Sequence, residues 1–188
     1  GLSLGEFTAH AAAGTYSFEE GLRLVQKRGA FMEEACNATK GTMAAMIGGT
    51  DENVIKLAQE CDVDVANFNC PGQTVVSGTE EGVAKAVAGA KAAGCKIAKK
   101  LNVAGAYHSR LMHSAMVKLA EELKNISFGT PSMPVYCNYE ARVVEGPDDI
   151  RSMLGAQVEF KEAELDTGFG KLVMDLRNRP TSRALLRD

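Results

Sequence analysis

Residues 63–77 read VDVANFNCPGQTVVS, and this stretch contains two strand-like patterns separated by a turn sequence. Residues 63–68 alternate between apolar and polar side chains, as a strand with one buried face does. Residues 74–77 form the second strand pattern, and Pro71-Gly72 between the two is typical of a turn. The stretch therefore predicts two consecutive strands.

Helices and further strands are predicted on either side of these two strands. The additional helices and strands cover residues 42–47, 51–61, 79–93 and 96–103. The resulting order of strand, helix, strand, strand, helix, strand matches a ferredoxin-like βαββαβ unit. We interpret residues 41–101 as this small subdomain, inserted into a larger core formed by residues 1–40 and 102–188.

The rest of the chain is predicted to be mainly helical. Ser17 and Glu20 have the spacing of a capping box, which predicts a helix from there to residue 38. Further elements are three helices over 6–14, 109–124 and 147–157 and a short strand over 134–138. Helices and strands together indicate an α/β chain.

Composition excludes several classes of function. The chain has 188 residues, of which 45% are hydrophobic and 24% charged, and a net charge of −3. This balance gives no reason to expect nucleic acid or an anionic membrane surface as a partner. No apolar run approaches the roughly 18 residues of a membrane span, and no secretion signal is visible. The five cysteines form no CxxC pair, so we expect reduced thiols and no zinc site.

The first five residues, Gly1-Leu2-Ser3-Leu4-Gly5, fit the pattern G-x-S-x-G. This pattern is typical of a nucleophile elbow, a sharp turn that lifts a serine hydroxyl clear of its neighbours before a helix. Ser3 is then the candidate nucleophile, and the backbone amide of Leu4 is the candidate donor to an oxyanion. A small-residue turn at a helix start is the alternative interpretation.

Ser3 requires a general base, and the sequence contains three histidines. His10 lies on the helix after the elbow, and His113 lies within an amphipathic helix. His108 follows Tyr107 in a loop between a predicted strand and a predicted helix, where functional side chains are frequent. His108 is therefore the candidate base, with a structural loop histidine as the alternative. No acidic residue that would orient it is evident.

Arg28 is the candidate anion-binding residue. It precedes Gly29 inside a predicted helix, where glycine costs roughly 1 kcal/mol and suits the close approach of a ligand or backbone. A guanidinium at this place can hold a carboxylate through two parallel hydrogen bonds. The alternative is a solvated arginine beside Lys27.

Taken in order, these features resemble the malonyl-CoA:acyl-carrier-protein transacylases and, more loosely, the acyltransferase domains of polyketide and fatty-acid synthases. The resemblance extends over residues 1–158. The matching stretches are GLSLGEF (1–7), LVQKRGAFM (24–32), ANFNCPGQTVVSG (66–78), VAGAYHSRLM (103–112) and PVYCN (134–138).

The resemblance implies a fold and a catalytic mechanism. The fold is a partial α/β-hydrolase-like core that carries the ferredoxin-like subdomain. Ser3 would attack malonyl-CoA, and the malonyl group would then pass to the phosphopantetheine thiol of acyl carrier protein. His108 would act as general base and then general acid. In this family a main-chain carbonyl orients the histidine, and Gln157 matches the residue that supplies it.

The resemblance also implies substrate-binding residues. Arg28 matches the arginine that pairs with the free malonyl carboxylate. Asn67 matches a substrate-channel position, and Met32 lies in the matching stretch beside Arg28. Tyr107 stands where a bulky ring leaves little room for an α-methyl group, so malonyl is favoured over methylmalonyl.

The resemblance further implies that malonyl-CoA and acyl carrier protein are the partners, that no cofactor is needed, and that the chain is monomeric. A cytoplasmic location is expected for a bacterial protein, and a plastid or mitochondrial location for a eukaryotic one. Three functions remain open: the malonyltransferase, a serine esterase or thioesterase with the same elbow, and a catalytically impaired fragment of the transferase.

The two ends depart from the family pattern. The family has a Gly-Gln-Gly loop before the elbow, and its backbone amide completes the oxyanion hole. This loop is absent here, so we expect a chain truncated at its N-terminus. After Val158 the sequence diverges, and residues 164–165 and 168–171 are interpreted as a remnant of the family's closing stretch. A deletion or a divergent segment is therefore expected near the C-terminus.

Overall fold

The computed structural model describes residues 1–159. Within this range the chain forms helices and strands in the order α1, α2, β1, α3, β2, β3, α4, β4, α5 and α6. Their bounds are Leu4–Ala12 (α1), Phe18–Ala38 (α2), Gly41–Ile47 (β1), Asp51–Glu60 (α3), Asp64–Cys70 (β2), Gln73–Thr79 (β3), Glu80–Gly89 (α4), Ile97–Lys100 (β4), His113–Lys124 (α5) and Pro147–Ala156 (α6). A 3-10 turn, Arg110–Met112, leads directly into α5.

The four strands form one antiparallel sheet in the order β2-β3-β1-β4. The two central strands, β1 and β3, pair from Gly41 opposite Thr79 to Ile47 opposite Gln73. This strand order, with α3 between β1 and β2 and α4 between β3 and β4, is the ferredoxin-like arrangement. The predicted βαββαβ unit is confirmed.

Helices α3 and α4 begin at threonine caps and pack on the sheet. The side chain of Thr50 accepts a hydrogen bond from the Asn53 amide, and that of Thr79 accepts one from the Gly82 amide. Apolar residues of both helices and the sheet form one buried cluster, whose largest members include Met46, Val54, Leu57, Val76 and Val83. This cluster belongs entirely to the ferredoxin-like unit.

A second buried cluster joins the remaining helices. Helix α2 packs against α5, and α5 packs against α6, while α1 lies against α2. Helix α2 begins with the predicted capping box, in which the Ser17 hydroxyl accepts from the Glu20 amide and the Glu20 carboxylate accepts from the Ser17 amide. Large side chains of this cluster include Phe7, Met112, Leu119, Leu123, Ile150 and Leu154. The ferredoxin-like unit and the remaining helices thus have separate buried clusters. The division into residues 41–101 and a flanking core stays a prediction.

The predicted strand over residues 134–138 is wrong. Among the described residues one isolated bridge forms there, between Tyr136 and Val143. The pairing does not continue to Asn138, because its backbone amide donates to the side chain of Glu6 at 3.0 Å. Helix α4 is also shorter than predicted, since it ends at Gly89, and β4 ends at Lys100.

The predictions for residues 164–165 and 168–171 lie outside the described residues, as does the end of the predicted core. Among residues 1–159, no helix combines the length and apolar character that crossing a bilayer requires.

Candidate active site

Ser3 lies at a strained elbow at the start of α1. Its backbone angles are φ 53° and ψ −106°, a conformation that non-glycine residues rarely adopt and that is frequent at functional sites. Gly1 is needed for the same turn, because a Cβ atom on it would lie 2.6 Å from the backbone of Gly5. The elbow predicted from the sequence is therefore present, with Leu4 as the first residue of the helix.

Arg28 lies directly beside the Ser3 hydroxyl. Its Nη2 atom donates a hydrogen bond to Ser3 Oγ at 2.6 Å and approaches Gln157 Oε1 at 3.4 Å. The guanidinium is buried, with 7% of the residue exposed, and lies over the ring of Phe7. Its Nε atom is buried without a hydrogen-bond partner within residues 1–159. The Ser3 hydroxyl thus lies beside a buried cation of α2, whose Nε–H group has no acceptor within the described residues.

His108 is oriented by a main-chain carbonyl. Its Nδ1 atom lies 2.7 Å from the carbonyl oxygen of Gln157. Since a carbonyl only accepts, Nδ1 carries the proton in this arrangement, and Nε2 of the neutral ring is left as a base. Burial lowers the pKa of His108, the hydrogen bond to the Gln157 carbonyl opposes this shift, and the charge of Arg28 adds to it. The pKa lies below its ordinary value, which favours the neutral ring that a general base requires.

These residues form one hydrogen-bonded chain from Ser3 through Arg28 and Gln157 to His108. Among the hydrogen bonds of residues 1–159, the partner of Ser3 Oγ is Arg28, and none joins it directly to His108. Ser3 Oγ accepts the bond from Arg28, so its own proton remains available for donation to a base.

The structure adds Glu6, which the sequence reasoning missed. Glu6 is fully buried, and its Oε2 atom accepts hydrogen bonds from Gln157 Nε2 at 2.7 Å and from the Asn138 amide at 3.0 Å. Burial raises its pKa to about 7. The available signal was its place three residues after Ser3, which is the spacing of an exposed capping box. The carboxyl instead turns inward.

Asn138 was also missed as a site residue. Its Oδ1 atom accepts a hydrogen bond from the Ser3 amide at 2.6 Å, and its Nδ2 atom donates to the Gly1 carbonyl at 2.9 Å. The amide side chain thereby holds both sides of the elbow. The sequence PVYCN had marked this stretch as part of the resemblance, but it assigned Asn138 no role.

The other predicted substrate-binding residues are Tyr107, Met32 and Asn67, and they lie in different parts of the fold. Tyr107 is half-buried beside His108 and packs on the same apolar cluster as Cys36. Met32 is buried one turn after Arg28 in α2. Asn67 lies at an irregularity of β2, opposite Val75, in the ferredoxin-like unit. Within residues 1–159, no side-chain hydrogen bond joins Asn67 to the elbow.

The other two histidines are not part of this arrangement. His10 is buried, its Nδ1 atom lies 3.2 Å from Thr15 Oγ1, and burial lowers its pKa to about 4. His113 is exposed at the start of α5 and pairs with Glu159. The close approach predicted at Gly29 is also not observed, because a Cβ atom there would meet nothing within 4 Å in the described part of the chain.

This geometry agrees with a family comparison over most of the chain. The model of the acyl transferase domain matches residues 1–163. The chain belongs to the acyl transferase domain family. Within residues 1–159, no cluster of three histidine, cysteine or acidic side chains is arranged to hold a metal ion.

The sequence is also similar to individual members of the acyl transferase family. The chain is 42% identical over 198 residues to the malonyl CoA-acyl carrier protein transacylase of Escherichia coli K12, covering 95% of this chain and 64% of that protein. It is 38% identical over 180 residues to the Bacillus subtilis protein of the same name, covering 93% and 56%. The chain thus spans less than two thirds of the length of these relatives.

Solved acyltransferase structures are also similar. The malonyl CoA-acyl carrier protein transacylase of Coxiella burnetii matches with a TM-score of 0.87 at 33% identity, covering 94% of this chain and 56% of that one. A malonyl-transacylase in complex with a type II polyketide synthase acyl-carrier protein matches with a TM-score of 0.87 at 35% identity, covering 94% and 57%. These matches confirm the predicted fold class, a partial α/β-hydrolase-like core with the ferredoxin-like unit.

Proposed function

We propose that this chain carries the malonyl-transfer site of a malonyl-CoA:acyl-carrier-protein transacylase. The observation that carries the proposal is the buried guanidinium of Arg28, 2.6 Å from the Ser3 hydroxyl. A serine nucleophile beside a buried cation suits an acyl group that itself ends in a carboxylate. The relatives named malonyl CoA-acyl carrier protein transacylase support the same assignment.

The reaction proceeds through a malonyl-serine intermediate. Ser3 Oγ attacks the thioester carbonyl while His108 Nε2 takes its proton, and the coenzyme A thiolate then leaves with a proton returned by His108. The Leu4 amide, at the N-terminus of α1, would donate a hydrogen bond to the oxyanion of the tetrahedral intermediate. The phosphopantetheine thiol of acyl carrier protein repeats the sequence on the malonyl ester and releases Ser3.

Arg28 selects the substrate through its charge. A buried guanidinium is costly unless an anion pairs with it, and the malonyl carboxylate would provide two acceptor oxygens. An uncharged acyl group would leave the guanidinium unpaired and would displace its bond to Ser3. Arg28 therefore favours malonyl over acetyl at the acylation step.

Tyr107, Met32 and Asn67 are proposed to line the substrate path. Tyr107 precedes His108 and packs on the buried cluster, so its ring would leave little room for an α-methyl group. We assign malonyl-CoA and acyl carrier protein as partners of a monomeric enzyme that uses no cofactor. Its location would be cytoplasmic in a bacterium and plastid or mitochondrial in a eukaryote. Residues 1–40 and 102–188 would supply the catalytic core, and residues 41–101 the inserted subdomain.

The test is direct detection of the intermediate. The chain is incubated with malonyl-CoA, and its intact mass is measured at short times. One malonyl adduct is expected, and none in Ser3→Ala. Absence of an adduct in the unmodified chain would refute malonyl transfer and favour the impaired fragment.

A second measurement separates transfer from ester hydrolysis. Arg28→Ala is expected to lose the malonyl adduct, while Arg23→Ala, which changes an exposed arginine of the same helix, should keep it. If Arg28→Ala formed the malonyl adduct at the original rate, the carboxylate-binding role would be refuted. Retained hydrolysis of an uncharged ester without malonyl transfer in the unmodified chain would favour the esterase.

A further inference from the structure

We propose that Glu6 is a positioning residue of this site, which holds Ser3 and His108 in register through two hydrogen bonds to Asn138 and Gln157. The inference rests on the proposed malonyl transfer for its kinetic consequence but on the described contacts for its geometry. Glu6 itself touches neither Ser3 Oγ nor the imidazole of His108. It acts through Asn138, which contacts Ser3, and through Gln157, which contacts His108.

The first connection leads to the base. Glu6 Oε2 accepts from Gln157 Nε2 at 2.7 Å, and the carbonyl oxygen of the same Gln157 lies 2.7 Å from His108 Nδ1. Gln157 is the first residue after α6, where the backbone is no longer held by the helix on both sides. Fixing its side chain therefore fixes the carbonyl that orients His108.

The second connection leads to the nucleophile. Glu6 Oε2 also accepts from the Asn138 amide at 3.0 Å, and Asn138 Oδ1 accepts from the Ser3 amide at 2.6 Å. Among residues 1–159, residues 134–138 pair only through one isolated bridge, whose backbone hydrogen bonds join Cys137 to Arg142 and Val144 to Val135. The bond from Glu6 holds the segment from which Asn138 reaches the elbow.

The required property of Glu6 is hydrogen-bond acceptance. One oxygen receives both bonds, while Oε1 is buried without a partner within residues 1–159. Burial raises the pKa of Glu6 to about 7, so a full negative charge is not favoured in this place. A glutamine has the same shape and retains an acceptor oxygen at the occupied position. An alanine leaves the backbone amide of Asn138 and the side-chain amide of Gln157 without their acceptor. Because an unpaired buried donor is costly, the two segments should rearrange.

The experiment compares Glu6→Ala with Glu6→Gln in the complete chain. The rate constant of Ser3 acylation is measured by rapid quenching with malonyl-CoA. We expect Glu6→Ala to acylate about 10²-fold more slowly, because displacement of reacting groups by about 1 Å has an effect of that size. The malonyl-CoA concentration giving half the maximal rate should change less than about threefold. Glu6→Gln should restore the rate. Acylation of Glu6→Ala at the original rate, or an equal loss in Glu6→Gln, would overturn the proposal.

Loss of stability is controlled by Leu57→Ala, which removes a buried side chain of the ferredoxin-like cluster far from the elbow. It should lower the unfolding temperature and leave the acylation rate unchanged. If it lowered the rate as much as Glu6→Ala, the effect of Glu6 would be one of stability alone, and positioning would be refuted.

A spectroscopic measurement keeps this inference separate from the proposed function. The Nδ1–H proton of His108 should give a downfield proton NMR signal, assigned by its absence in His108→Gln. The signal should persist in Glu6→Gln and disappear through exchange with water in Glu6→Ala. This pattern in a chain that forms no malonyl adduct would support positioning while refuting malonyl transfer. Survival of the signal in Glu6→Ala would refute positioning even if the adduct forms.

Discussion

At the residue scale, two candidate catalytic residues occupy unfavourable backbone conformations. Ser3 has φ 53° and His108 has φ 55°. Non-glycine residues in such regions cost about 1–3 kcal/mol each and persist where the surroundings enforce them. Here the enforcing contacts are Asn138 on the Ser3 amide and the Gln157 carbonyl on the imidazole.

The sequence allowed Ser3, His108 and Arg28 to be proposed, because each lies in a short motif, whereas Gln157 followed from the family resemblance. Glu6 and Asn138 could not be predicted as site residues. Their hydrogen bonds join positions separated by 132 and 135 residues along the chain, and local patterns carry no information on such pairs. The inward turn of Glu6 depends on segments that pack across α1 only after folding.

The first prediction concerns the acid limb of acylation. His108 must be neutral to accept the Ser3 proton, and burial lowers its pKa below the ordinary 6.5. The rate of adduct formation should therefore fall to half at a pH below 6.5 as the solution is acidified. The profile is best measured in Glu6→Gln, which removes the neighbouring titratable carboxyl. His113→Gln, at an exposed position, should leave the profile unchanged, and a midpoint above 6.5 would contradict the assignment.

The second prediction concerns stability and the Glu6 carboxyl. Its folded pKa of about 7 lies above the ordinary 4.5. Below the lower value the group is protonated in both states, and its contribution to stability is intact. As pH rises toward the higher value, only the unfolded chain ionises, so stability falls, by a total of order 3 kcal/mol.

Urea unfolding across pH 5–8 checks this expectation. Glu6→Gln should remove this component of the fall, whereas Glu19→Gln, at an exposed position of α2, controls for the loss of one charge. Parallel pH curves for the original chain and Glu6→Gln would show the prediction to be wrong.

At the element scale, helices were predicted better than isolated strands. The capping box at Ser17 is a local signal, and the structure confirms it. Helices α3 and α4 begin at threonine caps, which are local signals of the same kind. Residues 134–138 have strand-like composition, but a strand requires a partner, and the Asn138 amide is used by Glu6. Pairing is a property of the folded chain that composition does not determine.

The third prediction compares two glycines of α2. Gly29 is exposed, and a Cβ atom there meets nothing within 4 Å of the described residues, so Gly29→Ala should stabilise the chain by about 0.5–1 kcal/mol. At Gly21 the same atom would lie 2.8 Å from the ring of Tyr16, whose hydroxyl donates to the Phe7 carbonyl. Gly21→Ala should therefore destabilise. Thermal unfolding of both variants decides, and a lowered midpoint for Gly29→Ala would contradict the open-space interpretation.

At the scale of the whole molecule, an ion pair joins the ferredoxin-like unit to the loop that carries His108. Asp64, at the start of β2, accepts hydrogen bonds from the Arg110 amide at 2.7 Å and from its Nε atom at 3.0 Å. The two units were predictable from their internal patterns. Their contact was not, since neither Asp64 nor Arg110 belongs to a motif that specifies the other.

The fourth prediction tests this connection. Asp64 is buried, so Asp64→Ala leaves the Arg110 amide unpaired and should cost about 1–3 kcal/mol in urea unfolding. It should also slow acylation, because Arg110 follows His108 by two residues. Asp62→Asn removes the charge of an exposed partner of the same arginine, suits the left-handed backbone at this position (φ 55°), and should cost no more than about 1 kcal/mol. Equal effects of the two substitutions would refute a specific role for Asp64.

The antiparallel pairing of β1 with β4 has a consequence for how this architecture can be altered. The chain enters the sheet at Gly41 and leaves beside Met43, whose carbonyl accepts from the Leu101 amide at 2.8 Å. Entry and exit are therefore neighbours, so the intervening segment could be exchanged as a unit if the bond from Asp64 to the Arg110 amide were kept. A replacement whose ends have the same spacing would leave the distance between α2 and the His108 loop unaltered. The insert is thus free to diversify its outer surface while the frame around the serine is retained.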